Sequence, residues 1–415
     1  MNATTTRFRH ALTADAPPAA VATGQTTAAT RTAANAAWTF EAHQGSAGLQ
    51  ALTPEWERLA ASLPGGPRFF HWPHWYRPLV DAQVCADDEL WFIAARRGGS
   101  LSAVFPLQFQ HHRVAGLRPR ILGTIEDDQV QLCDFVFAQT DENRELLFAL
   151  TAWLGTQRQL RWDALRLRKV PDDAAIAFAA QARLPRGTLV APHDGSCWLD
   201  VMHGYEQATK PVSKTFKQDF RRLTRRAEKT HPLRHQCCSR PDELDQAFDH
   251  FLDIEASGWK GTAGKAGAIL CQPLLLAFYR ALVREFGARG QCVINLLWYG
   301  DQAVAGQLCL RVGRVLNILK VGFREEHEAF APGILLLDRV IQQCCEDEGI
   351  DILHLVNEPP WARKFKPLRM DVRSYVVTNR TLRGHAVRLG LWVKRSRDAL
   401  ALRFGHRPEV AARPR

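Results

Sequence analysis

The sequence predicts a mixed α/β fold built as two lobes of similar length. Three strand-like runs, Cys292–Tyr299, Gln302–Val312 and Val315–Phe323, are broken by Gly300-Asp301 and Gly313-Arg314, which read as hairpin turns. This meander leads through the loop 324–332 into an apolar-periodic helix over 333–348, then into a short apolar strand over 350–356. The first half of the chain also mixes strands and helices, although no short repeat is visible in its residues.

Taken in order, residues 1–37 contain 13 Ala and 9 Thr against one Phe and one Leu. So little apolar surface cannot offset the entropy of ordering, and this segment is expected to be a disordered tail. The first lobe, 38–197, begins near Trp38. Helical periodicity over 51–63 precedes the aromatic cluster Phe69, Phe70, Trp72, Trp75 and Tyr76. Two alternating strands, 90–95 and 101–108, flank the turn Arg97-Gly98-Gly99-Ser100. A helix over 143–155 and a strand over 164–169 follow, and the lobe ends in the Gly/Pro/Asp-containing stretch 191–195. The second lobe, 198–379, has a basic helix at 214–229, amphipathic helices at 241–257 and 274–287, then the meander. Residues 380–415 form a basic tail.

Charge and cysteine usage restrict the class. Lys plus Arg (54) exceed Asp plus Glu (43) by 11, but 380–415 alone contains ten basic and two acidic residues. The remaining chain carries about +3, which argues against a nucleic-acid-binding body. The ten cysteines show no C-x-x-C spacing and include two adjacent doublets, Cys237-Cys238 and Cys344-Cys345. Neither a metal ribbon nor a secreted disulfide framework is suggested, so no metal is expected and the compartment is a reducing, cytoplasmic one. No apolar run approaches the length of a membrane span.

The stretch 316–366 is the most informative. Its helix opens after Ala331-Pro332-Gly333; Pro sacrifices no needed N–H in a first turn, and Gly lets a ligand approach the backbone. The resulting free N–H groups and partial positive charge suit a phosphate, the alternative being an ordinary helix cap. Three segments, "FLDIEASGWKGTAGKAG" (251–267), "LKVGFREEHEAFAPGILLLDRVI" (319–341) and "GIDILHLVNEPPWARKFKP" (349–367), resemble the CelD-like branch of the acyl-CoA N-acyltransferase (GNAT) superfamily. That branch is associated with cellulose and exopolysaccharide biosynthesis. The same segments are similar to those of the Fem aminoacyltransferases, which have two GNAT-like lobes. The resemblance implies a mixed central sheet flanked by helices, with acetyl-CoA or another acyl-CoA as co-substrate and an amino sugar or glycan-precursor amine as acceptor. Two positions depart from the family pattern: Phe323 stands where Tyr is usual, and Asn357 where Gly is frequent.

The resemblance assigns the acyl-CoA pyrophosphate to the backbone of Phe330, Ala331, Gly333, Ile334 and Leu335, and the pantetheine arm to the gap between the strands 315–323 and 350–356, beside Phe323; Lys320, within the first of these strands, either faces that cleft or pairs with a carboxylate. Glu255 is the first candidate for the base that removes the amine proton, because a carboxylate beside Trp259 would be poised by burial. Its alternative is an ordinary helix-end acid. Glu358 is the second candidate. His354, in an alternating strand, reads as either a catalytic or a structural imidazole. Lys366 matches the Fem-like Phe-Lys pair, with Phe365, and would either stabilise developing negative charge or be a surface lysine. Trp259, Lys260, Asn357 and Phe365 are assigned to the acceptor cleft.

Two rival readings remain. The basic helix 214–229 would suit charged tRNA in a Fem-like enzyme, or simply face solvent. A catalytically silent GNAT-fold scaffold of a polysaccharide-synthesis complex is the other. Finally, 385–404 sets Leu389, Trp392, Val393, Leu400 and Phe404 among arginines, a pattern suited to the inner face of an anionic membrane or to docking on the fold.

Overall fold

The first lobe runs β1 (Thr39–Gln44), α1 (Gly45–Ala61), α2 (Pro73–Asp81), β2 (Leu90–Arg97), β3 (Ser100–Gln110), β4 (Ile121–Gly123), α3 (Leu146–Leu154), β5 (Ala164–Pro171), α4 (Ala175–Ala182) and β6 (Leu189–Asp200). Helix α5 (Lys214–Thr230) then leads into β7 (Leu233–Cys238), α6 (Pro241–Ala256), α7 (Pro273–Gly287), β8 (Cys292–Tyr299), β9 (Gln302–Val312), β10 (Val315–Phe323), α8 (Pro332–Glu346), β11 (Ile352–His354), β12 (Leu368–Thr378) and α9 (Leu382–Arg403). This computed structural model describes residues 38–114, 116–127, 129–185, 187–230, 232–258, 261 and 267–403, with side chains to 393 in α9. Each half has the same succession, β-α-α-β-β-β-α-β, before its last strand.

All these strands join one sheet, in the order β1-β2-β3-β4-β5-β12-β6-β11-β10-β9-β8-β7. The last strand of each half lies against the other half: β12 pairs with β5, and β6 pairs with β11. β12 and β6 also pair with each other, so the two lobes are stitched by main-chain hydrogen bonds. Neighbouring strands are antiparallel except at β4–β5 and β10–β11.

One face of the sheet carries α1, α2, α6 and α7 over an apolar layer shared by both lobes. Trp75 on α2 meets Phe278 on α7 edge-on, with ring centroids 6.1 Å apart. On the other face, α3 and α4 cover the first lobe, and α5 and α8 the second.

The meander has the bounds its hairpin turns predict. The largest difference concerns 191–195, expected to end the first lobe. It lies inside β6, where Ala191, Pro192 and His193 pair with Ser374, Arg373 and Val372 of β12. Poor strand formers are held here by a partner that is distant in sequence, and the expected limit at 197/198 cuts through a strand. The tail expected from 380 becomes α9, which docks through Val387 and Leu391 near Ile121 and Ala164. The strand expected over 350–356 shortens to Ile352–His354. The 1–37 expectation lies outside the described residues.

Candidate functional site

β10 and β11 pair in parallel only from Val315–Asn317 to Ile352–His354. Beyond this, β10 stays with β9 as far as Phe323, while the chain after β11 turns aside. Leu355 donates its N–H to the Cys197 carbonyl on β6 (2.9 Å), and Val356 adopts φ 61°. That left-handed conformation costs a β-branched residue about 1–3 kcal/mol and persists only where its surroundings impose it. The two strands therefore splay.

The gap opens into a cavity of about 310 Å³ whose walls include Gln307, Val321, Phe323, Gly333, Trp361 and Lys364. α8 begins at its wall. Ala331 is left-handed (φ 46°, ψ 55°) and Pro332 has no N–H. Ile334 and Leu335 return their N–H groups to the Ala331 carbonyl, at 3.0 and 3.1 Å. The Gly333 N–H is left to point out of the helix start, where the helix dipole favours an anion. A Cβ at Gly333 would stand 3.6 Å from the Phe323 ring, so any larger side chain would fill the mouth of this cradle.

Behind the splay, two glycines lie opposite each other, Gly322 on β10 and Gly306 on β9. A Cβ at Gly322 would fall 3.2 Å from the Glu255 backbone, and one at Gly306 would fall 2.9 Å from Phe251. These absent side chains let the last turn of α6 approach the sheet where the strands part. Glu255 is buried there and accepts the Ile269 N–H at 2.8 Å. Lys320, two residues before Gly322, lies over the Tyr279 ring of α7 at 5.5 Å. The Tyr279 hydroxyl donates to Gln129 of the first lobe (2.6 Å), so that lobe closes one side of this region. The cradle and Glu255 thus lie on opposite faces of the same splayed pair.

The structure gathers Phe323, Ala331, Gly333 and Ile334 around the cavity, while Leu335 turns into the core. Phe330 sits just outside, beneath the Arg226 guanidinium at 5.2 Å. Other candidates lie elsewhere. His354 is buried in the sheet, 2.8 Å from Ser196 Oγ and 3.1 Å from Asn317 Oδ1. Burial, with a smaller contribution from Arg68, pushes its pKa down to about 3. This is a neutral ring satisfied on both nitrogens, and it does not line the cavity. Glu358 accepts from Arg369 Nε (2.7 Å) beside Gly195, away from the cavity. Phe365 is buried against Phe216, with centroids 5.7 Å apart. Asn357 and Lys366 are exposed, Lys366 in a left-handed turn that ends the segment Pro360–Phe365. Trp259 and Lys260 lie outside the described residues.

Sequence reasoning missed Gln307. It is buried on β9, lines the cavity, and its Oε1 has no hydrogen-bond partner among the described residues. A buried amide oxygen without a donor is costly, and the pantetheine amides of a thioester donor would supply one. Only the pairing of β9 with β10 reveals this; a lone Gln within a strand pattern carries no such signal. The glycine-lined cradle and this acceptor together fit an acyl-CoA. Among the described residues no cluster of His, Cys, Asp and Glu could hold a metal ion.

Residues 214–360 match the family of acetyltransferase (GNAT) domains, a span of about a third of the chain that takes in the meander, the cradle and β11. The matched span lies in the second lobe. The solved structure of FemX is similar at 10% identity over 79% of this chain and 96% of its own, with a TM-score of 0.52. A tandem GNAT protein from the clavulanic acid biosynthesis pathway is similar at 14% identity over 82% and 98%, with a TM-score of 0.44. The C-terminal domain of a putative lysylphosphatidylglycerol synthetase from Agrobacterium fabrum is similar at 12% identity over 72% and 86%, with a TM-score of 0.44. No curated protein matches the sequence. The fold is the two-lobed GNAT-like α/β fold that the sequence predicts.

Proposed function

We propose that this protein transfers an acyl group from acyl-CoA to an amine, with the chemistry in its second lobe. The observation that carries this reading is the splayed β10–β11 pair opening onto the Pro332-Gly333 start of α8. The Gly333 N–H and the dipole of α8 would hold the pyrophosphate, and Gln307 with the free edge of β10 would hold the pantetheine arm. The thioester would then lie near Gly322. The acceptor nitrogen attacks the thioester carbon from the α6 face, the C–N bond forms, the C–S bond breaks, and CoA leaves as a thiolate that takes a proton from solvent. Glu255 takes the amine proton, directly or through water, and Lys320 offsets charge building on the carbonyl oxygen. The resemblance to the CelD-like branch supports an amino sugar or another glycan-precursor amine as acceptor.

Isothermal titration of the full chain with acetyl-CoA, longer acyl-CoAs and CoA tests the donor. Micromolar binding of one of them is expected. No heat with any would overturn the reading and favour a scaffold that keeps the fold without the chemistry.

A further inference from the structure

Helix α5 is unusual in its charge. Lys214, Lys217, Arg221, Arg222, Arg225, Arg226 and Lys229 stand against Asp219 and Glu228 alone. Within the described residues only Arg222 has a carboxylate at ion-pair distance, Asp219 at 3.5 Å, and Glu228 is taken by Arg339 of α8 at 3.3 Å. Lys217, Arg221, Arg225 and Lys229 recur every four residues, and so do Arg222 and Arg226; like charges at this spacing repel one another. Such a helix is relieved by an anion.

Its position says which one. The apolar stripe Phe216, Phe220 and Ala227 is packed on the α8 face of the sheet. This brings Arg226 over Phe330, the residue before Ala331 of the cradle, and sets Phe216 5.8 Å from Lys364 Nζ, which lines the same cavity. Arg222 lies one turn before Arg226 on the same side of α5, and both are exposed. Among the described residues the one carboxylate in the cavity wall is that of Glu328, and Lys364 offsets it. A thioester donor whose pyrophosphate sits at Gly333 must carry its remaining nucleotide out of this mouth. On CoA that nucleotide bears a ribose 3′-phosphate, a dianion near neutral pH, which planar guanidinium groups bind with paired hydrogen bonds.

We propose that Arg222 and Arg226 of α5 form the binding site for the 3′-phosphate of the CoA donor. The inference rests on the acyl-CoA reading and deepens it, making α5 the element that distinguishes CoA from donors lacking that phosphate.

The test titrates CoA and dephospho-CoA, which lacks only the 3′-phosphate, into the full chain, the Arg222→Gln/Arg226→Gln variant and the charge-matched Lys217→Gln/Arg221→Gln variant. The native protein is expected to prefer CoA about tenfold. The Arg222/Arg226 variant should lose that preference and keep its affinity for dephospho-CoA, while the Lys217/Arg221 variant should retain most of the preference. Equal binding of the two nucleotides by the native protein would overturn the inference and leave the acyl-CoA reading standing. An equal loss in both variants would also overturn it, since that marks a diffuse field. Binding of neither nucleotide would bring down the acyl-CoA reading and the inference together. If bulk tRNA binds with steep salt dependence and loses its affinity in both variants, α5 is a nucleic-acid surface and the inference fails.

Discussion

The two lobes share an order of elements and differ in what occupies the space beyond their parallel strand pair. In the second lobe β10 and β11 part after Asn317 and His354, and the gap stays open. In the first, β4 stops at Gly123 and the chain comes back to fill the place it vacated: Cys133 donates to the Lys169 carbonyl of β5 (2.9 Å), and Val104 of β3 donates to Val136 (3.3 Å). Both lobes place a left-handed residue just past the parallel pair, Lys169 and Val356. The helices that follow differ too. α8 opens with Pro332-Gly333 beside the cavity, whereas α3 opens at Leu146 after Glu145 with no such pair. The first lobe also has its own internal anion. Asp134 accepts N–H groups from Phe135, Ala175 and Ile176 at 2.8–3.0 Å and lies 3.1 Å from His71 Nε2. One order of elements serves twice, once with its gap filled and once with it open.

This contrast can be broken at Asp134. Burial pushes its pKa up, but the His71 ring, the Arg68 charge and the Ile176 N–H outweigh burial and hold it below the usual range. Asp134→Asn should cost about 3 kcal/mol in urea unfolding, because buried donors lose an ionised acceptor, while kcat per folded molecule stays unchanged. The folded pKa is depressed, so the native Asp134 contribution is present above about pH 4 and lost as pH falls through the folded value. A kcat loss at full folding would place chemistry in the first lobe.

In the second lobe the expected sign is opposite. Glu255→Gln still accepts the Ile269 N–H but is no longer a base, so kcat should fall about 10²-fold with donor affinity intact. If kcat survives there and Glu358→Gln abolishes it, the base is Glu358. Gly333→Val should raise the KM for acyl-CoA about tenfold or more, because its methyls would crowd the Phe323 side of the cradle. An unchanged KM in the folded variant would move the phosphate site elsewhere.

His354 sharpens the comparison through pH. Its folded pKa of about 3 lies below the ordinary value near 6.5, so between the two the unfolded chain binds a proton that the native protein does not. Stability therefore falls as pH drops from about 6.5 towards 3. His354→Gln should flatten the urea-midpoint profile by about one proton over that range; an unaltered slope would show that the ring is charged in the folded state. The smallest effect is expected at α9, where Val387 is buried while Leu389, Trp392 and Val393 are exposed. We expect truncation after Arg380, or Leu389→Asp alone, to reduce cosedimentation with anionic vesicles at low salt and leave acyl-CoA binding intact. Equal sedimentation of all forms would leave α9 as a docked helix only. Among the described residues no helix is long and apolar enough to cross a membrane.

Much of the second lobe was legible because its signals are local. Gly300-Asp301 and Gly313-Arg314 bound the meander, and Ala331-Pro332-Gly333 marks the cradle. The candidates divided according to what lies across the sheet from each. Gly333 and Phe323 flank the cavity because a strand end and a helix start are joined by one short loop. His354 shows the opposite case: its partners, Ser196 and Asn317, are 158 and 37 residues away, and nothing near it in sequence announces them. Gln307 was silent for the same reason.

By itself the sequence determined the α/β class, the strands of the meander, the amphipathic helices and the Pro332-Gly333 start of α8, since periodicity and turn chemistry act over a few residues. Only the tertiary structure decided that β6 and β12 cross between the lobes, that residues 191–193 are strand, that the first gap is filled and the second open, and that α5 carries its cations to the rim of the cradle. Those outcomes depend on pairing between residues far apart along the chain, where register and burial, not local preference, set the free energy.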